Sequence, residues 1–190
     1  RWFWFGEQPF LKLNLKGKRF CNESGPYDYM LHSTIMQPHQ TYVDIWDANH
    51  AAQAEAMDEV GCCRLFPFDN GAKNNIPMKV VDGMIDKLIE DGYVQKADTM
   101  EELAEKLNLP VEATVASWTR YNEMAAAGRD EDYHKEPHRL MAIDTPPFYG
   151  VRTGAWFLAT LDGVTIDPNM HPCDENGEPI SGLSLTANDS

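Results

Sequence analysis

The hydrophobic pattern along this chain switches repeatedly between a period of two and a period near 3.6. Pro9-Phe10-Leu11-Lys12-Leu13-Asn14-Leu15 alternates apolar and polar side chains, which predicts a strand. Lys16-Gly17 supplies a turn, and Arg19-Phe20-Cys21 predicts a returning strand, completing a hairpin. Gly25-Pro26 then breaks the extended run, and residues 28–36 predict a short helix that stops before Pro38. Thr41-Tyr42-Val43-Asp44-Ile45-Trp46 alternates again and is rich in β-formers, so it predicts a second strand. Asp47 or Asn49 precedes Ala51–Met57 as the N-cap of a helix.

Residues 64–77, with Pro67, Gly71 and Pro77, predict an irregular surface loop. Beyond it Val80, Val81, Met84, Ile85, Leu88 and Ile89 fall at helical spacing across Met78–Glu90, and Gly92 marks the stop. Tyr93–Ala97 predicts a short strand. Asp98 or Thr99 then caps a helix from Met100 to Leu107, whose first turn carries Glu101 and Glu102. Pro110 opens a longer helix that runs to Ala127, with Val111, Val115, Trp118, Tyr121 and Met124 on its apolar side, and Gly128 ends it. Residues 128–139 are densely charged and predict an exposed loop. From Pro146 onward the pattern is that of strands: Phe148–Thr153, Thr160–Asp167, a turn at Asp174-Glu175-Asn176-Gly177, and Leu183–Ala187. Strands and helices alternate without regular βαβ units, which places the chain in the α+β class.

Composition changes this picture little. The 190 residues are 43% hydrophobic and 24% charged, the balance of a globular chain large enough to build a core. Net charge is −14, which argues against nucleic acid and anionic membrane surfaces as partners. The plain reading of that acidity is solubility, and an anionic substrate would need a local cationic pocket. No apolar run reaches the ~20 residues that span a bilayer. Cys21, Cys62, Cys63 and Cys173 form no CxxC pair, metal spacing or haem-attachment motif, and free thiols are expected. The vicinal Cys62-Cys63 pair is either redox-active or simply two small hydrophobes. His32 and His39, like His134 and His138, do not cluster as ligands, so no metal site is expected. No Ser-His-Asp or Gly-x-Ser-x-Gly arrangement points to hydrolysis.

Five short strings occur in a fixed order: Gly17-Lys18-Arg19-Phe20-Cys21-Asn22-Glu23-Ser24-Gly25-Pro26-Tyr27, Ala97–Ala104, Arg120-Tyr121-Asn122-Glu123, Pro146-Pro147-Phe148-Tyr149, and Thr160–Asp167 followed by Gly182-Leu183…Asn188-Asp189-Ser190. Their order resembles the C-terminal half of the fumarate reductase, urocanate reductase and 3-ketosteroid dehydrogenase superfamily of flavoproteins. No Gly-x-Gly-x-x-Gly opens a βαβ unit, which is how a Rossmann-type half holds FAD pyrophosphate. The resemblance therefore implies a fragment: residues 25–147 as a capping domain, with residues 1–24 and 148–190 as strands of an incomplete FAD-binding domain. Such a fragment would neither hold FAD well nor turn over by itself.

In the resembling reductases FAD passes a hydride to one carbon of an activated C=C bond, and a capping-domain residue protonates its neighbour. Fumarate reductases use an arginine for that proton. Aligned on Phe20-x-Asn22-Glu23, the donor position here is Tyr27, with Tyr29 as the alternative if the alignment slips by two. The upstream relay positions fall at Phe3 and Gly6 and a carboxylate-binding histidine at Ala159, none of which can play those parts. The string Asn-Glu-Ser-x-Pro-Tyr is similar to ketosteroid dehydrogenases, where tyrosines act on an enone. The resemblance thus implies an FAD-dependent oxidoreductase that reduces or desaturates a C=C bond conjugated to a carbonyl or carboxylate. Its substrate would be a small unsaturated molecule; its redox donor is not specified. By the same resemblance Thr160 and Gly163 would approach the substrate, and Asn188, Asp189 and Ser190 the flavin. Two other readings stand beside it: a non-catalytic module that binds a ligand or partner, and a fumarate reductase-like member lacking the usual arginine donor. Proteins of this kind occur in the cytoplasm and as exported proteins, so the compartment stays open.

Overall fold

A computed structural model describes residues 10–56, 78–155 and 164–184, which fall into two compact units divided between Ala155 and Trp156. In chain order the first unit holds β1 (Leu11–Asn14), α1 (Tyr27–Ile35), β2 (Thr41–Trp46), α2 (His50–Ala56), α3 (Met78–Glu90), β3 (Val94–Ala97), α4 (Met100–Lys106), α5 (Val111–Ala127) and β4 (Phe148–Gly154). The strands make one sheet in the order β1-β2-β4-β3, antiparallel at every junction. Helices and an antiparallel sheet in one unit are the α+β class expected. The sheet joins residues 11–14 to strands from residues 41–46 and 148–154.

Register sorts the side chains onto two faces. Leu11 lies opposite Ile45 and Leu13 opposite Val43, and on that face they pack with Leu103, Leu107, Tyr121 and Met124 of the α4–α5 side. On the opposite face Trp46, Val94 and Val151 pack with Ala54 of α2 and with Val81 and Ile85 of α3. Each fully buried Leu, Ile or Val contributes about 1.5–3 kcal/mol over exposure, so these two seams fasten the helix layers to the sheet. His50 Nε2 stands 2.9 Å from Asp82 Oδ1 and adds a polar tie between α2 and α3.

Helix ends follow their residues. The Thr99 hydroxyl accepts from Glu102 N at 3.2 Å and caps α4. Gly128 closes α5 in the left-handed region, with φ +67. Gly17, φ +70, turns the chain after β1 hard against α5: Ser117 Oγ donates to Gly17 O at 2.6 Å, and a Cβ at Gly17 would lie 2.7 Å from Thr114 Oγ1 and 2.9 Å from Thr114 N.

Two expectations for the first unit are corrected. The hairpin does not form: Asn14 N donates to Lys18 O at 2.8 Å, but Arg19-Phe20-Cys21 is not a strand and β1 pairs with β2 instead. The reason is that the Arg19 side chain turns inward to two carboxylates, and the backbone follows those bonds rather than a ladder. The polar positions Lys12 of β1 and Asp44 of β2 turn into the protein. Lys12 and Asp44 are cross-strand partners, 3.3 Å apart and both buried. Residues 128–139 are not simply an exposed loop, because Asp130 and Lys135 are buried. The loop expected over residues 64–77 lies outside the described residues.

Residues 164–184 of the second unit contain isolated bridges rather than strands, Ile166 with Pro172 and Cys173 with Pro179. Two aspartates organise them. Asp167 Oδ1 accepts the Asn169 and His171 amides, and Asp174 Oδ1 accepts those of Asn176 and Glu178. The turn at Asp174–Gly177 is present, whereas Val164–Asp167 forms no continuous strand. Residues 160–163 and 185–187 of the expected strands lie outside the described residues.

Candidate functional site

The segment Asn22–Tyr27 is held as a folded loop before α1. Asn22 folds it on itself: its Oδ1 accepts Ser24 N at 2.8 Å and its backbone oxygen accepts Gly25 N at 3.2 Å. Pro26 leads directly into the helix, and its oxygen accepts Met30 N at 3.2 Å. Tyr27 is therefore the first residue of α1; its side chain lies outside the described part of the structure. Tyr29, the alternative, is 71% exposed on the same helix.

A buried ionic cluster lies behind this loop. The Arg19 guanidinium donates from Nε and Nη2 to the two Glu23 oxygens, both at 2.8 Å. It donates from Nη1 and Nη2 to the two Asp130 oxygens at 3.0 and 2.7 Å. It also sits over the rings of Tyr121 and Tyr133, 5.3 and 5.0 Å from their centroids. Asp130 further accepts the backbone amides of Asp132, Tyr133 and Lys135. Lys135 Nζ donates to Tyr121 Oη at 2.8 Å and stands 3.6 Å from Glu23 Oε2. Two cations and two carboxylates thus neutralise one another inside the protein, which is how buried charge is tolerated.

Burial works against the charge of Arg19, but Glu23 and Asp130 raise its pKa above its already high ordinary value. Burial likewise opposes the Asp130 charge, yet Arg19 and the Tyr133 and Lys135 amides hold that carboxyl well below the usual range. Burial lowers the Lys135 pKa and raises that of the Tyr121 phenol. It also pushes Cys21 up to about 12, so Cys21 is a thiol at neutral pH and no nucleophile.

The 130–139 segment grips the loop at two further points. Asn22 Nδ2 donates to His134 O at 3.3 Å, and the Ser24 hydroxyl donates to the Glu136 carboxylate. Arg139 Nη1 donates to the same Ser24 oxygen at 3.2 Å. Of these residues, Arg19 and Glu23 stand in the string that carries the family resemblance, but nothing in that string marks them as buried partners. Asp130 and Lys135 are missed altogether by sequence reasoning, because a charged run shows no sign of which member turns inward.

Thr160, Gly163, Asn188, Asp189 and Ser190, like Phe3, Gly6 and Ala159, lie outside the described residues. The sheet that is described is antiparallel throughout, so it provides no parallel strand–helix–strand cradle for a dinucleotide pyrophosphate. Among the described residues no group of three or more His, Cys, Asp or Glu is placed to hold a metal ion. None of the described helices is long and apolar enough to cross a membrane.

Comparison with known proteins adds four findings. The profile of a family described as FAD binding domain matches residues 7–183. The vinyl phenol reductase of Lactiplantibacillus plantarum is 29% identical over 188 residues, covering 97% of this chain and 37% of that protein. The 3-oxosteroid 1-dehydrogenase of Mycobacterium tuberculosis is 26% identical over 194 residues, covering 93% of this chain and 32% of that protein. A flavocytochrome c3 fumarate reductase in its open conformation has the same fold, with a TM-score of 0.69 at 22% identity, over 97% of this chain and 28% of that one. The chain spans about a third of the length of these curated relatives.

Proposed function

The chain belongs to the FAD binding domain family, and on that premise we propose that it is part of a flavin-dependent oxidoreductase acting on a C=C bond conjugated to a carbonyl. Residues 25–147 would form the portion that caps the substrate, together with β1 and β4, which share its sheet, and later residues would belong to the flavin-binding part of the longer protein. This chain alone would be inactive. The flavin supplies the hydride chemistry; the contribution of this chain is a proton and an enclosure. Tyr27 is the proton donor, or the acceptor if the reaction runs as a desaturation.

The observation that carries this reading is the placement of Tyr27. The loop from Asn22 is closed by its own hydrogen bonds and delivers Tyr27 to the first position of α1. Negative charge is favoured at that end of a helix, and a phenol of pKa ~10 needs such help to share its proton. Relatives named vinyl phenol reductase, 3-oxosteroid 1-dehydrogenase and NADH:acrylate oxidoreductase support a reaction at a C=C bond, and the tyrosine donor is the part of the reading that the test below decides.

The test uses the full-length protein. Its visible spectrum is recorded, it is reduced with dithionite, and reoxidation is followed with cyclohex-2-enone, a 3-oxosteroid, 4-vinylphenol and fumarate. Flavin absorbance with enone-dependent reoxidation, slowed roughly 10²–10⁴-fold but still measurable in Tyr27→Phe, is the expected result. Reoxidation by fumarate alone, indifferent to Tyr27→Phe, would reject the tyrosine donor. A colourless protein would reject the oxidoreductase.

A further inference from the structure

We propose that Asp130, with the 130–139 segment it anchors, is a positioning element for Tyr27, acting through Arg19 and Glu23. The inference rests on the reading of Tyr27 given above but concerns residues which that reading does not use. Asp130 is more than a hundred residues away in sequence, yet it holds one side of the guanidinium whose other side holds Glu23. Glu23 lies between Asn22 and Ser24, and each of these is bonded to the 130–139 segment in its own right.

Each link has little freedom. Four donated bonds from one planar guanidinium fix both carboxylates in its plane, and two tyrosine rings cover it. Three backbone amides fix the Asp130 carboxylate to its own loop. A buried ion cluster of this sort is weak evidence for stability, since well-packed apolar residues often do as well. What it does supply is a single allowed position for the segment that ends at Tyr27. Displacing a proton donor by about 1 Å can cost roughly a hundredfold in rate, so a brace of this kind bears on the rate of the chemical step.

The test is a double-mutant cycle in the full-length, flavin-loaded protein, with reoxidation of the reduced flavin by cyclohex-2-enone as the readout. Asp130→Asn keeps the shape but removes one carboxylate oxygen's charge and half of the bidentate contact with Arg19. A roughly 10–100-fold fall in kcat is expected, with KM for the enone little changed. In the Tyr27→Phe background the same substitution is expected to cost nothing further. Glu136→Gln, at the half-buried contact with Ser24, is the second variant, expected to give a smaller loss with the same dependence on Tyr27; it stands in if Asp130→Asn does not fold. Equal losses in both backgrounds, tracking a drop in thermal midpoint, would overturn positioning and leave a merely structural cluster. Full activity in Tyr27→Phe alone would overturn the tyrosine donor itself, and this proposal with it.

Discussion

The turn at Gly17 offers a way to separate backbone strain from close packing. Gly17 and Gly128 have nearly the same backbone conformation, φ +70 and +67, but a Cβ at Gly128 would meet nothing within 4 Å. A Cβ at Gly17 would lie 2.9 Å from the backbone nitrogen of Thr114 and 2.7 Å from its hydroxyl, in the first turn of α5. Gly128→Ala should therefore cost only the left-handed penalty, about 1–2 kcal/mol. Gly17→Ala should add the cost of forcing α5 away from the turn, about 1–3 kcal/mol more, since the obstacle is backbone and cannot rotate aside. The total for Gly17→Ala is about 2–5 kcal/mol. Urea unfolding followed by tryptophan fluorescence measures both variants, and hydrogen exchange at the Thr114–Trp118 amides locates the damage. Faster exchange there is expected for Gly17→Ala and not for Gly128→Ala. Equal losses for the two would show that the approach to α5 carries no cost and would refute the reasoning.

Burial pushes Asp44 up to about 6 even beside Lys12, so the folded state holds that proton more tightly than the unfolded chain does. Its contribution to stability is therefore present below pH ~4 and lost as pH rises through ~6, a change of about 3 kcal/mol. The unfolding free energy of wild type minus that of Asp44→Asn should fall by about this amount from pH 4 to 7, and a flat difference would contradict it. Gly150 of β4 is a packing site: a Cβ there would lie 2.6 Å from Leu107 Cδ1 and 3.6 Å from Leu103 Cδ1. Gly150→Ala is expected to destabilise by about 1–3 kcal/mol, and much less when Leu107→Ala has already opened the space, as a double-mutant cycle in urea would show.

The helices and the four strands of the sheet were legible because local signals agreed. The Thr99 cap, the glycine stops at Gly92 and Gly128 and the apolar spacing of α3 and α5 each fixed one element without help from elsewhere. The pairing of β1 was not legible. Its alternation announced a strand, but its partner was decided by Arg19, whose bonds run to residue 130. The same holds for Lys12 and Asp44. Alternating polar positions normally face water, and only the register that sets these two opposite each other reveals a buried pair. At the candidate site, the Asn22–Tyr27 string was visible as a motif, while its support in a charged run was not. A carboxylate that faces solvent and one that clamps a guanidinium have the same letter.

The strand order has a consequence for how the chain is made. β2 and β4 are the two inner strands, and every contact between them, from Thr41 with Gly154 to Trp46 with Tyr149, spans about a hundred residues. At roughly 5–20 residues per second, β2 leaves the ribosome some 5–20 s before its inner partner has been synthesised. Among the described strands it then has the four residues of β1 as its partner, and the edge that β4 will take is a row of amides and carbonyls next to a Val-Asp-Ile-Trp run. Among the described strands β4 is the last to be made, and until it is in place the edge of β2 that it covers is a surface on which another chain could add a strand.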